Sequence, residues 1–446
     1  MRARSSLLVS LRFMFLLLVA SGLFFWFVFV GPEQFLLRAV VVTLLVFLAI
    51  LLVRYFSLLW LAVLHHLERD VAPEEAEGGW PRDDVWPGVS LLVPAFDEER
   101  VLDRALESLM RLDYPTYEIV VVDDGSDDAT LEAARRWEGT HGGVEVRVLT
   151  QGNAGKAAAL NAAIAASRHP FVLSMDADSR LEPGALRAAM PHFRDPSVGA
   201  VAGNVKVDNR NSLLTWLQAL EYVEGLNMPR RAQGFVAAVN IVPGPVGVFR
   251  REALDEVGGY AADTFAEDAD LTLELVSSGW KVFYEEDCVA WTLAPESMVD
   301  LVQQRYRWTR GLLQAVRKRK GVLVRPFPDF PLWLSTLELA FEGFVWPVMN
   351  VYGHVFFAAV ALVYGFAEPL LYWWLLLTVL DFVLALVTVS MEEEDLRMVP
   401  LALVYRFFYL LWLDVSKLFA ALEEAGDLDM GWGKLERNEE PAGAGA

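Results

Sequence analysis

The chain has 446 residues, of which 54% are hydrophobic and 22% are charged. Its mean hydropathy of +0.33 is too high for an ordinary soluble protein, and its charge content is too high for a bare bundle of membrane spans. The formal net charge of −21 argues against nucleic acid as a partner, since phosphate groups attract the opposite sign. Part of this charge lies in residues 74–77 and 392–395, and we interpret it as a solvated acidic surface.

Apolar residues are concentrated near both ends of the chain, beginning with residues 1–66. The runs 6–30 and 35–64 each exceed the roughly 20 residues that span a bilayer, so they predict two transmembrane helices. A secretory signal peptide is the alternative for the first run, but that run is long and a second one follows at once. Positive residues favour the cytoplasmic side, and the arginines near these runs therefore predict a cytoplasmic N-terminus and central domain. They are Arg2, Arg4, Arg12 and Arg69.

Between the apolar blocks, residues 89–295 have the pattern of an α/β domain. Four apolar segments are predicted strands, and the segments between them are predicted helices. Strands that alternate with helices predict a mostly parallel sheet covered on both faces. Residues 67–88, rich in proline, glycine and acidic residues, are predicted to be a linker. The predicted strands are 89–94, 117–122, 144–149 and 171–175.

Acidic side chains follow two of these predicted strands. Residues 123–128 come after the second strand, and Asp176 and Asp178 come after the fourth. Carboxylates at the carboxyl ends of parallel strands project into the crevice where such sheets bind ligands. Alternation along an extended chain puts Asp176 and Asp178 on one side, where a carboxylate pair can hold Mg²⁺ or Mn²⁺ against a diphosphate. The sequence therefore predicts an enzyme that handles a nucleotide diphosphate at a membrane. Cys288 is the only cysteine, so no disulfide can form within one chain.

Four motifs between residues 89 and 311 resemble the family 2 glycosyltransferases of the GT-A fold. More narrowly, they resemble the membrane-embedded processive synthases of hyaluronan, chitin oligosaccharide, poly-N-acetylglucosamine and cellulose. Each motif alone is weak, and their order and spacing make the resemblance specific. The resemblance implies an α/β GT-A domain, Rossmann-like and cytoplasmic, embedded in an α-helical transmembrane protein. The motifs are D-D-G-S at 123–126, D-x-D at 176–178, E-D at 267–268 and Q-x-x-R-W at 304–308.

The resemblance implies roles for residues on the nucleotide side of the site. In V-P-A-F-D-E, Phe96 would lie against uracil, Glu98 belongs to the same binding segment, and Asp97 stands where the family has asparagine. Asp124 would accept a hydrogen bond from the uracil N3–H. Lys156, which follows glycines and opens a predicted helix, would face the phosphates, because helix N-termini favour anions.

The resemblance also implies how the metal and the base are supplied. Asp178 would bind Mg²⁺ or Mn²⁺, and Asp176 would lie near the ribose or the metal; the metal would neutralise the departing UDP. Asp268, paired with Glu267, would deprotonate the acceptor hydroxyl, although Ala266 replaces the threonine of the family's T-E-D. The alternative interpretation is that these carboxylates are only the acidic first turn of a helix.

On the acceptor side, Gln304, Arg307 and Trp308 share one face of a predicted helix. By resemblance, Trp308 stacks on the acceptor sugar and the other two line the site. Residues 296–332 are also predicted to form amphipathic helices at the membrane interface. Gly244 opens G-P-V-G, which resembles the acceptor-side loop of the hyaluronan-type synthases.

The C-terminal part contains the second apolar block, residues 333–424, and the segment 425–446. Trp432 lies in G-W-G-K, which resembles the W-G-T-R motif that closes over the nucleotide diphosphate, so 425–446 is predicted to be cytoplasmic. This requires four true spans and a segment 401–422 that enters and returns or lies bent at the interface. Arg406 and Asp414 favour that prediction, because a charge at the bilayer centre is costly. Arg54 either faces the polymer path or extends to the interface.

Taken together, the resemblance implies a processive, inverting glycosyltransferase of the plasma membrane that polymerises a UDP-sugar into a β-linked polysaccharide and extrudes it. UDP-N-acetylglucosamine is the favoured donor and UDP-glucose the next. Its partners would be the donor, the growing polysaccharide and the lipid bilayer, with no nucleic acid and no accessory subunit specified. One alternative is a non-processive enzyme that glycosylates a lipid phosphate. The other is an inactive homologue that binds polymer or nucleotide as a scaffold.

Overall fold

The computed structural model describes residues 33–71, 86–327, 329–365 and 368–426. The predicted first transmembrane helix and the segment with Trp432 lie outside these ranges. Helix α1 (Glu33–Val71) contains a stretch, Val42–His65, that is long and apolar enough to cross a membrane. It continues past residue 67, where the linker was predicted to begin. Residues 67–71 contain no proline or glycine, so no residue type that breaks helices interrupts it.

A nine-stranded sheet forms the centre of the protein. In sheet order the strands are β3–β4–β2–β1–β5–β8–β7–β9–β6. Their ranges are β1 (Val89–Ala95), β2 (Tyr117–Asp123), β3 (Gly139–His141), β4 (Val144–Thr150), β5 (Phe171–Ser174), β6 (Arg180–Leu181), β7 (Val198–Val207), β8 (Gly247–Arg250) and β9 (Lys281–Thr292).

The two halves of the sheet differ in direction. Strands β4, β2, β1 and β5 are parallel, and Val89 lies opposite both Tyr117 and Phe171. In the other half β8 is antiparallel to β5 and β7, whereas β9 is parallel to β7. The parallel half was predicted from alternating strands and helices. The mixed half depends on pairing between strands that are distant in sequence, which local hydrophobic periodicity does not encode.

The helices of the central domain cover this sheet. Strands β1 and β2 are buried along their whole length, as expected for parallel strands packed on both faces. Strands β1, β2 and β5 end at the same edge, so the polar residues that follow them come together there. The helices are α2 (Leu102–Leu109), α3 (Thr130–Arg136), α4 (Lys156–Ala166), α5 (Ala185–Ala189), α6 (Leu213–Glu221), α7 (Met228–Phe235), α8 (Arg251–Val257) and α9 (Glu267–Ser277), with a π-helical turn at Tyr222–Asn227.

The remaining helices include the second apolar block. Within the described ranges, Phe330–Val363 is a second stretch long and apolar enough to cross a membrane, and Leu396–Val404 and Phe408–Ala425 form a broken pair bent by 64°. This bend agrees in shape with the predicted bent segment 401–422. The helices are α10 (Met298–Lys318), α11 (Phe330–Ala340), α12 (Trp346–Tyr364), α13 (Glu368–Met391), α14 (Ala402–Val404) and α15 (Leu411–Ala425), with π-helical turns at Phe341–Val345 and Tyr405–Leu410.

Charged side chains in the apolar helices have polar partners. Arg54 of α1 forms ion pairs with Glu338, at 3.0 Å, and with Glu342. Arg406 pairs with Asp381 of α13, and Asp414 accepts a hydrogen bond of 2.6 Å from Asn350. These contacts compensate charges that would be costly in a bilayer.

Only part of the acidic run 392–395 is a solvated surface: Glu393 is exposed, but the interpretation was wrong for Glu392 and Glu394. Glu392 is buried and accepts hydrogen bonds from Arg231 at 2.8 Å and from Asn204 at 2.9 Å. Glu394 accepts two hydrogen bonds from Arg210, at 2.7 and 2.8 Å. The run therefore connects the end of α13 to the central domain. This role depends on tertiary contacts, which the pattern of charges in the sequence does not reveal.

Candidate active site

Two of the sequence motifs, D-x-D and E-D, meet at Lys156, the first residue of α4. Its ammonium lies 2.6 Å from Oδ1 of Asp176 and 3.2 Å from Oε1 of Glu267. Burial opposes the charged form, but the two carboxylates outweigh it and hold the pKa of Lys156 well above its ordinary value. The side chain is therefore a fixed cation between the D-x-D segment and the first turn of α9.

Gly244 lies directly against the ion pair between Lys156 and Asp176. A Cβ atom built at Gly244 would lie 2.8 Å from Nζ of Lys156 and 2.9 Å from Oδ2 of Asp176. No side chain fits there without displacing the ion pair. The G-P-V-G loop thus comes as close to the charged centre as a backbone can.

Asp268 lies next to the same charges. Its Oδ1 accepts a hydrogen bond of 2.8 Å from the backbone amide of Ala269. Burial, together with the negative charge of Glu267, raises the pKa of Asp268 to about 6, against the opposing effect of Lys156. A carboxylate with a pKa near the working pH is suited to accept a proton from a hydroxyl group.

The D-D-G-S loop is held by its second carboxylate. Asp124 is buried and accepts from the amides of Ala154 and Gly155, at 3.0 and 2.8 Å, and from Gln151 at 2.7 Å. A carboxylate has about four acceptor positions, so one remains for a ligand. Asp124 thus fixes the glycine-containing loop that leads to Lys156; Gln151 was not predicted, since a lone glutamine carries no motif.

The neighbouring loop after β1 carries Phe96 and Glu98, and both side chains are half-buried. Asp97 has φ of +48°, a conformation that aspartate and asparagine adopt more readily than most residues. Its amide donates to the Ser126 hydroxyl at 2.9 Å, and its carboxylate accepts from the Asp127 amide at 2.8 Å. Asp97 therefore joins the two nucleotide-side loops, which gives the substituted position a role.

The residues predicted to hold a metal follow β5. The hydroxyl of Ser179 donates to Oδ1 of Asp178 at 3.0 Å, and Asp176 faces Lys156. Among the described residues, no three or more histidine, cysteine, aspartate or glutamate side chains are grouped as metal ligands. Mg²⁺ is commonly bound by one or two carboxylates together with substrate phosphates, so this donor set fits a cation that binds with a nucleotide.

Helix α10 carries Q-x-x-R-W directly against the first turn of α9. A Cβ atom at Gly311 would lie 2.4 Å from the backbone nitrogen of Ala266, and Gln314 accepts from the amide of Phe265 at 3.0 Å. This contact brings the helix of Gln304, Arg307 and Trp308 next to Glu267 and Asp268; those three side chains are partly buried.

Trp308 is held by a buried arginine that the sequence did not single out. The guanidinium of Arg305 lies 4.2 Å from the Trp308 ring centroid. Arg305 also donates to both oxygens of Glu221, at 2.9 and 2.6 Å, and Glu221 accepts a further bond of 2.5 Å from Tyr409. Arg305 occupies a variable position of the motif, so only its tertiary partners reveal its function.

Helix α15 also contacts α10. Glu424 accepts from Arg310 and from Gln314, both at 3.0 Å, and Glu423 accepts from the hydroxyl of Tyr306. The described chain ends at residue 426, two residues after Glu424. Trp432, outside the described residues, follows at a short distance along the chain.

The fold has solved counterparts. The structure superposes on a mannosyltransferase from Pyrobaculum calidifontis, solved in complex with GDP-Man and Mn²⁺, with a TM-score of 0.57 and 22% identity, covering 83% of this chain and all of the other. This likeness identifies the fold as GT-A. The chain belongs to the glycosyltransferase like family 2, whose sequence pattern matches residues 87–311.

Curated relatives are similar over a comparable region. The chain is 30% identical over 262 residues to a poly-β-1,6-N-acetyl-D-glucosamine synthase of Staphylococcus aureus, which covers 57% of this chain and 61% of that protein. It is 32% identical over 227 residues to the protein of the same name from Staphylococcus epidermidis, covering 50% of this chain and 54% of that protein. The chain thus matches 61% and 54% of the length of these two relatives, which is less than two thirds.

Proposed function

We propose that this protein is a processive, inverting glycosyltransferase of the plasma membrane that polymerises UDP-N-acetylglucosamine into a β-linked polysaccharide and extrudes it. The observation that carries the proposal is the contact between Gly311 and Ala266. It sets the Q-x-x-R-W helix against Asp268, so that an acceptor-binding surface and a base with a raised pKa adjoin the charged centre around Lys156.

In the proposed reaction, Asp268 accepts the proton of an acceptor hydroxyl. The hydroxyl oxygen forms a bond to the anomeric carbon of the donor sugar, and the bond from that carbon to the UDP phosphate breaks on the opposite face. The proton stays on Asp268 and UDP leaves with the bonding electron pair. One displacement of this kind inverts the anomeric centre, and only one base is needed.

The departing diphosphate requires positive charge. Asp178, with Asp176, would hold Mg²⁺ or Mn²⁺, which supplies a Lewis acid for the phosphate oxygens. Lys156 stands between Asp176 and Glu267, and transfer of its contacts from these carboxylates to a phosphate would bring a second cation to the leaving group. Phe96, Glu98, Asp124 and the loop of Gly244 would surround the nucleotide and sugar.

The favoured donor follows from similarity. The two curated relatives are named for a polymer of N-acetyl-D-glucosamine, and the G-P-V-G loop reaches the charged centre. UDP-glucose is the second candidate. Trp308, fixed by Arg305, offers a flat surface for the sugar at the growing end, which favours a polymerase over transfer of one sugar to a lipid phosphate.

The contacts of the bent segment support a cytoplasmic C-terminus. Before segment 401–422, Glu392 and Glu394 are bound by Arg231 and Arg210 of the central domain. After this segment, Glu424 is bound by Arg310. Because both ends contact structure on the same side of the membrane, the segment between them would enter the bilayer and return, and Trp432 would face the active site.

Product sizing tests the proposal. The purified full chain is incubated with radiolabelled UDP-N-acetylglucosamine or UDP-glucose and with Mg²⁺ or Mn²⁺, and products are separated by size. We expect long polymer from the first donor. A lipid-linked product carrying one sugar would contradict processivity, and absence of transfer from any UDP-sugar would favour a binding function.

A further inference from the structure

Five arginine side chains are buried in the part of the chain that the structure describes, and four of them bind carboxylates. Those four pairs are Arg231–Glu392, Arg305–Glu221, Arg310–Glu424 and Arg406–Asp381. The fifth, Arg230, is 6% exposed and forms no ion pair with any residue in the described ranges. Its Nη1 lies 3.4 Å from Oδ1 of Asn227, which is a weak contact with a neutral group. A buried cation without a counter-charge is costly, so Arg230 requires an explanation.

The position of Arg230 is fixed by the π-helical turn that precedes α7. This turn, Tyr222–Asn227, inserts an extra residue into an otherwise α-helical path, a feature frequent at functional sites. Its last residue, Asn227, donates a hydrogen bond of 3.1 Å to the carbonyl oxygen of Val205 in β7. The segment is thereby tied to the central sheet, and Arg230 follows three residues later.

The surroundings of Arg230 belong to the catalytic centre. Burial lowers the pKa of Arg230, and the groups that oppose this effect are Tyr284, Asp268 and Tyr222. Tyr222 in turn lies 5.9 Å from the guanidinium of Arg305, which packs on Trp308. Arg230 therefore lies near the proposed base and, through Tyr222, near the buried arginine that packs on the proposed acceptor-stacking ring.

The groups around Arg230 favour the acceptor sugar, rather than the diphosphate, as the ligand of its guanidinium. The cation that contacts the D-x-D segment is Lys156, through Asp176. Asp268, by contrast, has to meet the acceptor hydroxyl from which it takes a proton. A sugar presents neutral hydroxyl and carbonyl oxygens, and a guanidinium presents up to five N–H donors in a planar fork that suits two neighbouring oxygens.

We propose that Arg230 is an acceptor-binding residue, whose guanidinium donates hydrogen bonds to oxygen atoms of the terminal acceptor sugar beside Asp268. This inference rests on the proposed glycosyl transfer. Loss of a hydrogen bond from a buried charged group commonly changes binding on the order of tenfold to a hundredfold. The effect is expected in acceptor binding alone, because the donor is held by other residues.

The test compares Arg230→Gln and Arg230→Lys with Arg231→Gln in the full chain. Arg231 is the matched control, since it is adjacent and buried but binds Glu392 rather than the site. Three quantities are measured. The first is the dissociation constant of UDP, and the second is transfer to water, which is the rate at which the donor is hydrolysed to UDP and free sugar without acceptor. The third is the concentration of a β-linked N-acetylglucosamine oligomer that half-saturates transfer. The oligomer is added to enzyme from which any bound polysaccharide product has been removed.

For Arg230→Gln we expect the half-saturating oligomer concentration to rise at least tenfold, with UDP affinity within about twofold of wild type and with transfer to the oligomer reduced more than transfer to water. Arg230→Lys keeps the positive charge but lacks the planar guanidinium group. We therefore expect a smaller rise in the half-saturating oligomer concentration than for Arg230→Gln. Arg231→Gln should lower the midpoint of thermal unfolding and leave the ratio of oligomer transfer to water transfer unchanged.

Two results would overturn the inference. An unchanged oligomer dependence in a folded Arg230→Gln would show that the side chain does not meet the acceptor, and an equal loss of UDP affinity would assign it to the diphosphate. A midpoint of thermal unfolding close to that of the wild type shows that the variant is folded, and if Gln fails this check, the Lys variant decides by the same criteria. A wild type that uses another nucleotide sugar contradicts the proposed donor separately, and the Arg230 comparison is then made with that donor and its oligomer.

Discussion

The ammonium of Lys156 lies 2.6 Å from the carboxylate of Asp176, and the same ammonium reaches Glu267 at 3.2 Å. These three residues come from separate segments, the glycine-containing loop 152–156, D-x-D and E-D, and are up to 111 positions apart in the sequence. Their contact makes one charged centre out of segments that follow different strands. Asp268 lies next to this charged centre, and the pH dependence of activity is the most direct probe of its charge state.

Asp268→Asn removes the proposed base and keeps its shape. We expect the rate of transfer to fall by roughly 10²- to 10⁴-fold, with UDP affinity nearly unchanged. In the wild type, only the ionised carboxylate accepts a proton, and its pKa is about 6. Activity should therefore be full above this value and decline as the pH falls through it. A pH series of initial rates checks both statements; near-wild-type turnover in the variant would exclude Asp268 as the base.

Asp178→Ala tests the metal. Without this carboxylate we expect loss of Mg²⁺- or Mn²⁺-dependent transfer and weaker UDP binding, because the diphosphate would meet Asp176 without a cation between them. Titration of UDP with and without metal measures the coupling. Asp255→Ala is the control, since Asp255 is exposed and distant from the motif. Activity that persists and still depends on metal would place the cation elsewhere.

Trp308→Ala removes the ring on which the acceptor is proposed to stack. An aromatic contact is worth about 1 kcal/mol, so the half-saturating oligomer concentration should rise about fivefold and the products should become shorter. UDP affinity should not change. Trp412→Ala, at an exposed position of α15, provides the control. If UDP affinity and elongation fell equally, Trp308 would belong to the nucleotide side.

Gly311→Ala tests the contact between α10 and α9. A methyl group at this position would lie 2.4 Å from the backbone of Ala266, so the helices must separate. We expect a loss of about 1–3 kcal/mol in stability and a larger loss of transfer than of UDP binding. Gly321→Ala has open space around the added methyl group and should be neutral. Thermal unfolding and UDP titration together distinguish these results; unchanged transfer in Gly311→Ala would contradict the role of the contact.

The sequence predicted what depends on local pattern. The parallel strands β1, β2, β4 and β5 are apolar runs, and the polar residues at their ends, such as Asp124 and Asp176, were recognisable by position. What it could not predict depends on partners far away in the chain. Arg305 looks like one charge among several on an amphipathic helix until Glu221 is seen beside it, 84 residues earlier.

The same reason explains the error at residues 392–395. Four consecutive carboxylates resemble a solvated surface, because a sequence does not show the arginines that face them. Glu392 is instead buried against Arg231, 161 residues earlier, and Glu394 against Arg210. The antiparallel strand β8 was missed on similar grounds, since its four residues carry no pattern that distinguishes its direction.

The topology of the C-terminal part can be tested with single cysteines. The residue at 440 is changed to cysteine after Cys288→Ala, which removes the buried native thiol. If segment 401–422 enters and returns, position 440 lies in the cytoplasm, and a membrane-impermeant thiol reagent should label it only in broken cells. Glu107→Cys, on an exposed helix position of the central domain, should behave identically. A cysteine at 367, between the predicted outward span 341–366 and the predicted inward span 370–390, should be labelled in intact cells. Labelling of position 440 in intact cells would refute the returning segment, favour five spans, and exclude Trp432 from the active site.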